Sequence, residues 1–329
     1  MKEKLYLFET YDEDEHLSLR PAYLSDYVGQ DNLISNLKIF IEASQVRNET
    51  LDHLLLYGPP GLGKTSLAYI LANELKASIK VTSGPSIERI GDLAALLSAL
   101  NPGDILFIDE IHRVPKQIEE ILYSAMEDFE LDLIVGKDES ARSVRLELPP
   151  FTLVGASTKI GNLSSPLRDR FGITSKLEYY SNHELQAIIN RTSRVMNTII
   201  DQESSDYIAR RSRGTPRIAI RLFRRIRDFA LILNNNAIDI DITKHAFDQL
   251  KIDSLGLDAL DISYLKVIIE KFKGGPVGID AIASAISEDV MTLEDVYEPY
   301  LLQIGFIQRT SRGRIASQKA YEHLNIPYI

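Results

Sequence analysis

Gly58-Pro59-Pro60-Gly61-Leu62-Gly63-Lys64-Thr65 lies between an apolar run, Leu54–Tyr57, and a stretch with helical patterning, 66–72. This is the pattern G-x-x-x-x-G-K-S/T in the strand–loop–helix setting that a phosphate-binding loop requires. Its glycines allow the backbone to wrap closely around phosphate oxygens, and the helix N-terminus that follows favours an anion. Lys64 would reach the β- and γ-phosphates, and the Thr65 hydroxyl would ligate Mg²⁺. The stretch therefore predicts a nucleoside triphosphate site.

Composition excludes several classes of protein. The chain has 329 residues, which predicts two or three domains. It has no cysteine, which excludes disulfides, thiolate catalysis and cysteine-ligated zinc. No window approaches the ~18 apolar residues of a membrane helix, and the acidic N-terminus lacks the apolar segment of a secretion signal. We expect a cytoplasmic protein with no membrane association.

The net charge of −10 argues against a uniformly basic surface that coats nucleic acid. Local basic patches remain possible because charges are screened beyond about 10 Å. One patch lies in 309–319, where Arg309, Arg312, Arg314 and Lys319 occur with no acidic residue between Glu298 and Glu322. These arginines predict contacts to a DNA backbone, although a solvated turn would have the same sequence.

A second basic patch lies in 210–227. Residues 217, 221, 224 and 225 share one helical face. That face would contact either DNA or acidic groups beside the nucleotide at a subunit interface, and we favour the interface.

The order of patterns predicts an α/β fold followed by two further regions. Between about 20 and 180, short apolar runs alternate with helical stretches, which is typical of a parallel sheet with helices on both faces. The apolar runs are Leu54–Tyr57, Ile79–Thr82, Ile105–Ile108 and Phe151–Ala156. Helical spacing alone continues to about 250. After it, helices over 260–272, 279–286 and 293–302 and a hairpin over 305–316 have the layout of a winged helix-turn-helix.

Polar residues follow two of the predicted strands. Asp109 and Glu110 end the run Ile105–Ile108, at the edge where open α/β sheets bind ligands. Downstream of a phosphate loop, the first carboxylate would hold Mg²⁺ and the second would activate water. Thr158 follows the run Phe151–Ala156. Its hydroxyl would either sense the γ-phosphate or simply end the strand.

Two arginines come next, in Ser165-Pro166-Leu167-Arg168-Asp169-Arg170-Phe171. They would serve a phosphate in the same subunit, reach the nucleotide of a neighbour, or form a surface ion pair with Asp169. The residues alone leave these alternatives open.

These motifs, in this order, resemble the AAA+ ATPases, and longer strings resemble the RuvB family, the bacterial motors of Holliday junction branch migration. The strings are Arg20-Pro21, 26–30, 58–65, 109–113, 165–173, 214–219, 274–278 and 298–310. The similarity covers about 19–321. It implies a flexible lead-in at 1–18, a large α/β ATPase domain at 19–180, a small helical lid at 181–253 and a winged-helix DNA-binding domain at 254–329.

The resemblance also implies roles for individual residues. Asp109 would be the metal partner, Glu110 the catalytic base, Thr158 the first sensor and Arg170 a finger acting on a neighbouring subunit. The nucleotide-binding residues would be Leu19, Arg20, Tyr27, Val28, Gly58, Gly61, Gly63, Lys64, Thr65, Ser66, Asp128, Phe129, Glu130, Tyr180 and Arg217, the last as a second sensor.

The implied function is ATP- and Mg²⁺-dependent translocation on double-stranded DNA and four-way junctions by a homohexamer, in recombination and repair. A RuvA-like protein would dock on the hairpin at 131–148 through Leu131, Leu133 and Ile134, although a buried edge strand would look the same. A RuvC-like resolvase is a further expected partner. The alternatives are a clamp loader and a nucleotide-gated DNA-binding switch or initiator. One departure from the family is that 287–291 lacks the usual basic residue.

Overall fold

The computed structural model describes residues 19–135 and 142–328. The predicted lead-in at 1–18 and the tip of the predicted hairpin therefore lie outside the described residues. The chain forms two compact units. The first runs to Val195 and includes Thr215–Arg217, and the second comprises Met196–Gly214 and the chain from Ile218 onward. The division into three domains stays a prediction.

The first unit contains a parallel sheet and an antiparallel hairpin. Its strands are β1 (Leu54–Tyr57), β2 (Ile79–Ser83), β3 (Ile105–Asp109), β4 (Glu130–Val135), β5 (Arg142–Glu147), β6 (Thr152–Ser157) and β7 (Ile173–Lys176). The parallel sheet has the order β2-β3-β6-β1-β7, and β4 pairs with β5 outside it. Strands β1, β3 and β6 are almost entirely buried, which explains why their sequences are continuous apolar runs.

Helices connect these strands. They are α1 (Asp31–Arg47), α2 (Lys64–Leu75), α3 (Ile90–Ser98), α4 (Lys116–Glu127), α5 (Ser165–Asp169) and α6 (Asn182–Val195). Short 3-10 turns occupy Leu24–Asp26, Gly84–Ser86, Ile111–Arg113 and Ile160–Asn162. Leu93 and Leu97 of α3 and Leu122 of α4 are fully buried in one cluster with Leu106 and Ile108 of β3. This packing fixes β3 and the acidic residues at its end.

Strand order brings the predicted site residues to one edge of the sheet. Tyr57 of β1 lies opposite Ser157 of β6, and Ile108 of β3 lies opposite Gly155 of β6. The carboxyl ends of β1, β3 and β6 are therefore neighbours, which is where open α/β sheets bind ligands. The sequence did not predict β7, because only Ile173 in this strand is apolar.

The second unit is mainly helical. Its helices are α7 (Gln202–Arg210), α8 (Pro216–Leu233, which begins in the first unit), α9 (Ile240–Leu250), α10 (Ala259–Lys266), α11 (Ile279–Ile286), α12 (Val290–Thr292), α13 (Glu298–Gln303) and α14 (Gln318–His323). π-Helical segments at Val267–Lys271 and Leu293–Tyr297 extend α10 and join α12 to α13. The predicted third helix therefore begins at Val290 rather than 293.

Two strand pairs complete this unit. Ile199–Ile200 (β8) and Ala237–Ile238 (β9) form a short parallel pair, so the expectation of helices alone over 182–250 was wrong in this detail. Ile307–Thr310 (β10) and Gly313–Ala316 (β11) form the predicted antiparallel hairpin. We call this hairpin the wing. No helix within residues 19–135 and 142–328 combines the length and apolar character needed to span a bilayer.

Candidate nucleotide-binding and hydrolysis site

The phosphate loop joins β1 to α2 and depends on glycine at specific positions. Gly61 and Gly63 have φ values of +79° and +103°, in the left-handed region. A Cβ at Gly61 would lie 2.8 Å from Thr215 Cγ2, and one at Gly63 would lie 2.7 Å from Tyr27 Oη. Both conformation and space therefore exclude larger residues at these two positions.

Lys64 begins α2, and its ammonium is held by the loop itself. Nζ donates hydrogen bonds of 2.9 Å to the carbonyl oxygens of Gly58 and of Pro59. Burial lowers the pKa of Lys64, while the nearby Asp109 and Glu110 act in the opposite direction. The cation thus has neutral partners of its own, and these can be exchanged for phosphate oxygens.

The predicted acidic pair lies at the end of β3. Glu110 has a φ of +49°, and its backbone N–H donates a 2.9 Å hydrogen bond to Asp109 Oδ1. A Cβ on Gly84 would come within 2.4 Å of the Glu110 carbonyl oxygen, so the chain passes very close at this point. The Asp109 carboxylate is thus held by the backbone of the turn.

Two side chains approach the Glu110 carboxylate. Thr158 Oγ1 donates to Glu110 Oε2 at 3.3 Å, and His112 Nε2 lies 3.2 Å from the same oxygen. The structure thus brings the predicted base and the predicted first sensor together. Sequence reasoning gave no role to His112, although its position three residues after Asp109 was a usable signal.

Two phenols converge on the loop. Tyr27 Oη and Tyr180 Oη lie 2.8 Å apart, and each is within hydrogen-bond distance of the Leu62 carbonyl oxygen, at 3.4 and 3.1 Å. Burial raises the pKa of Tyr27 and raises that of Tyr180 to about 12, so both phenols are neutral at ordinary pH. The predicted base-binding tyrosines therefore contact the phosphate loop directly.

The segment before Tyr27 is fixed by a residue that the sequence did not reveal. Arg191, on α6, donates hydrogen bonds to the carbonyl oxygens of Leu19 (2.8 Å) and Arg20 (3.0 Å). The Arg20 guanidinium lies over the Tyr69 ring, 5.0 Å from its centroid. Val28 is half-buried beside Tyr27. These contacts fix the backbone of Leu19 and Arg20, two of the residues predicted to frame the adenine.

Three further predicted residues border the loop. Thr65 and Ser66 are half-buried in the first turn of α2. The backbone N–H of Arg217 donates a 3.3 Å hydrogen bond to the Gly61 carbonyl oxygen. Arg217 is thus next to the phosphate loop, although it lies far from the loop in sequence.

Other predicted residues are not brought to this loop within the protomer. Arg170 donates to Glu127 Oε2 at 3.1 Å and stacks over the Tyr123 ring at 4.4 Å. Phe129 packs against His53 and Phe151, which immediately precede β1 and β6. Asp128, Phe129 and Glu130 therefore lie toward the amino ends of these strands, opposite the phosphate loop.

Two of the three arginines predicted to bind DNA pair with a buried carboxylate. Glu298 is fully buried and accepts from Arg309 Nε at 2.6 Å and from Arg314 Nε at 2.9 Å. Arg314 also pairs with Glu294. Arg312, at the tip of the wing, is exposed. The three arginines are therefore not equivalent, a difference that the sequence did not reveal.

A phosphate loop, an adjacent Asp-Glu pair and a hydroxyl on the neighbouring strand of a parallel sheet together define a P-loop ATPase of the AAA+ class. Family models extend this conclusion along the chain. Residues 19–177 match the Holliday junction DNA helicase RuvB P-loop domain, 180–253 the RuvB AAA lid domain, and 254–325 the RuvB C-terminal winged helix domain.

Solved structures agree with these matches. The Thermotoga maritima RuvB Holliday junction branch migration motor is 49% identical, with a TM-score of 0.84 over 94% of this chain and 99% of that one. The K64R mutant of Thermotoga maritima RuvB is 50% identical, with a TM-score of 0.85 over 94% of this chain and 98% of that one. The chain belongs to the RuvB family. The winged-helix match disfavours a clamp loader, whose C-terminal domain should be a helical collar.

Proposed function

We propose that this chain is an ATP-driven DNA translocase that promotes branch migration of Holliday junctions in recombination and repair. The main support is the hydrogen-bonded pair Glu110 and Thr158 next to the phosphate loop, in a chain that matches RuvB models in three successive segments. An intact base beside the loop favours repeated hydrolysis over a nucleotide-gated switch.

In this proposal Lys64 and the loop N–H groups bind the phosphates, and Glu110 accepts the proton of the attacking water. Thr158 holds the Glu110 carboxylate, and Tyr27 and Tyr180 border the nucleotide. Hydroxyl and carboxylate oxygens are the ligands that Mg²⁺ prefers, so Thr65 and Asp109 suit this ion. Bound Mg²⁺ would neutralise charge on the phosphates.

We propose that Arg170 acts on the nucleotide of a neighbouring subunit in a homohexamer. Its contacts with Glu127 and Tyr123, away from the protomer's own phosphate loop, support this role. Asp128, Phe129 and Glu130 directly follow Glu127 and would face the same neighbouring site. A closed ring would then contain a complete site at every subunit boundary.

Two further partners belong to the proposal. A RuvA-like protein would dock on the β4–β5 hairpin, where Val144 is exposed. Leu131 cannot take part as predicted, because it is fully buried in the core of the first unit. DNA would contact the wing through Arg312, with Arg309 and Arg314 behind it. A RuvC-like resolvase and a cytoplasmic location complete the proposal.

The test is steady-state ATPase activity with and without duplex DNA, followed by four-way junction unwinding with and without a RuvA-like protein. We expect multiple turnover and unwinding. Glu110→Gln should lower kcat by about 10²–10⁴-fold, the range for a general base, with Glu120→Gln, an exposed residue on α4, as the control. A single turnover per site would instead identify a switch.

A further inference from the structure

His112 occupies a buried position between the proposed base and the end of β6. Its side chain is 5% exposed. Nε2 lies 3.2 Å from Glu110 Oε2, and Nδ1 lies 3.0 Å from Ser157 Oγ. The imidazole therefore links the carboxylate at the end of β3 to a hydroxyl on the neighbouring strand.

The hydrogen-bond partners determine which ring nitrogen carries the proton. Ser157 Oγ accepts a 3.1 Å hydrogen bond from the backbone N–H of Lys159, so the single hydroxyl proton is free to be donated to His112 Nδ1. Nδ1 then accepts, and Nε2 carries the proton and faces Glu110 Oε2. The opposite tautomer would place a lone pair of Nε2 against a carboxylate oxygen.

The charge state agrees with this arrangement. Burial lowers the pKa of His112, while Glu110 acts in the opposite direction. A neutral imidazole with one N–H has one donor and one acceptor, and these match the two partners that surround it. Each polar group in the series from Lys159 to Glu110 is thereby satisfied.

We propose that His112 is a positioning residue, which holds Glu110 Oε2 so that Oε1 accepts the proton of the attacking water. The inference rests on the proposed role of Glu110 as base. In the step, a water O–H bond breaks, the proton goes to Oε1, the water oxygen bonds to the γ-phosphorus, and the bond to the β-phosphate oxygen breaks. His112 keeps its own proton throughout.

Two side chains connect the proposed base to the end of β6. Thr158 donates directly to Glu110 Oε2, and its neighbour Ser157 acts on the same oxygen through His112. A shift of the end of β6 would move both side chains at once. The position of Glu110 therefore depends on β6 as well as on the turn that follows β3.

The first test measures the tautomer without any turnover. A ¹⁵N–¹H correlation spectrum of the imidazole groups should show His112 protonated at Nε2, with its signals assigned by their loss in His112→Asn. Ser157→Ala should reduce the preference for this tautomer. A wild-type His112 protonated at Nδ1 would overturn the proposal, because the series of hydrogen bonds would then run the other way.

The second test is kinetic. His112→Ala should lower kcat by up to about 10²-fold, the effect of misplacing a reacting group by about 1 Å, with the KM for ATP changed less than twofold. His112→Gln, whose amide can replace the Nε2 donor, should recover part of kcat. His183→Ala, an exposed histidine on α6, is the matched control.

The outcomes separate the two proposals. Full turnover in His112→Ala together with loss in Glu110→Gln would refute the positioning role and leave the base in place. Full turnover in Glu110→Gln would refute both. If His112→Ala does not fold, His112→Gln and the wild-type tautomer decide the question.

Discussion

The phosphate loop and the wing both present cations in positions suited to phosphate, but the cations are held differently. Lys64 donates to two peptide carbonyls. Arg309 and Arg314 pair with the buried Glu298. A neutral carbonyl is readily exchanged for an anion, whereas a buried carboxylate stripped of its partners is costly. Cations that look alike in sequence therefore differ in their availability to a ligand.

Arg170 lies between these two cases, because it pairs with a carboxylate that is not buried. Its substitution should give the largest change in activity. Its partner Glu127 is half-exposed and can release it. We expect Arg170→Ala to keep ATP binding but to lower kcat by about 10³–10⁵-fold, as for other arginine fingers. Steady-state ATPase and nucleotide-binding assays measure the two effects.

Mixed rings test whether Arg170 acts on a neighbour. Combining Arg170→Ala with Glu110→Gln subunits should restore part of the activity, because some boundaries then contain both wild-type groups. Absence of rescue would contradict a role across subunits. Arg168→Ala is the control, since the Arg168 guanidinium lies 4.0 Å from the carboxylate of its neighbour Asp169.

Lys64→Ala should be the next largest in effect. Removing a cation from developing phosphate charge costs about 10²–10³-fold in kcat, because the carbonyl partners that remain cannot replace it. ATP hydrolysis is the measurement, with Lys38→Ala, exposed on α1, as the control. Normal turnover would remove Lys64 from the mechanism.

Substitution of Glu298 tests how the arginines of the wing are held, through its effect on the stability of the fold. Glu298→Ala leaves two arginines without their buried partner and should cost about 3–5 kcal/mol in the free energy of unfolding. Denaturant unfolding of the full chain measures it, and Glu322→Ala, a residue outside the cluster, is the control. A loss below about 1 kcal/mol would show that the cluster is not held by this carboxylate.

The same carboxylate predicts a pH dependence. Burial acts to raise the pKa of Glu298, but hydrogen bonds from Arg314, Tyr264 and Arg309 outweigh it, and the pKa is lowered. Its stabilising contribution is therefore present above the ordinary glutamate pKa and is lost as pH falls through the lower folded value. The stability gap between wild type and Glu298→Gln should narrow on acidification below about pH 4. A constant gap would contradict this.

The smallest expected effect concerns the individual arginines. Arg312→Ala should weaken duplex DNA binding similarly for all sequences and lower the salt dependence by about one phosphate contact. Arg314→Ala should lower the salt dependence less and destabilise the fold more, because its charge is shared with Glu298 and Glu294. Titrations at several salt concentrations distinguish these results. The reverse order would show that Arg314 is the main contact.

The features that could be predicted from the sequence are those that a short local pattern determines. The loop, Asp109 and Glu110 could be predicted as site residues because each follows an apolar run at a fixed place in a motif. By contrast, β7 has one apolar residue, and the contact of Arg191 with Leu19 joins residues 172 positions apart. The pairing of Arg314 with Glu298 likewise depends on tertiary packing, and no pattern of adjacent residues indicates it.

The convergence of Tyr27 and Tyr180 on the Leu62 carbonyl has a consequence for the peptide that carries it. In a planar trans peptide, the carbonyl and the following N–H point in opposite directions. Fixing the carbonyl on the phenols therefore turns the N–H of Gly63 away from them. This peptide is therefore already oriented in the folded protein before a nucleotide binds. Binding then costs less conformational entropy at this peptide.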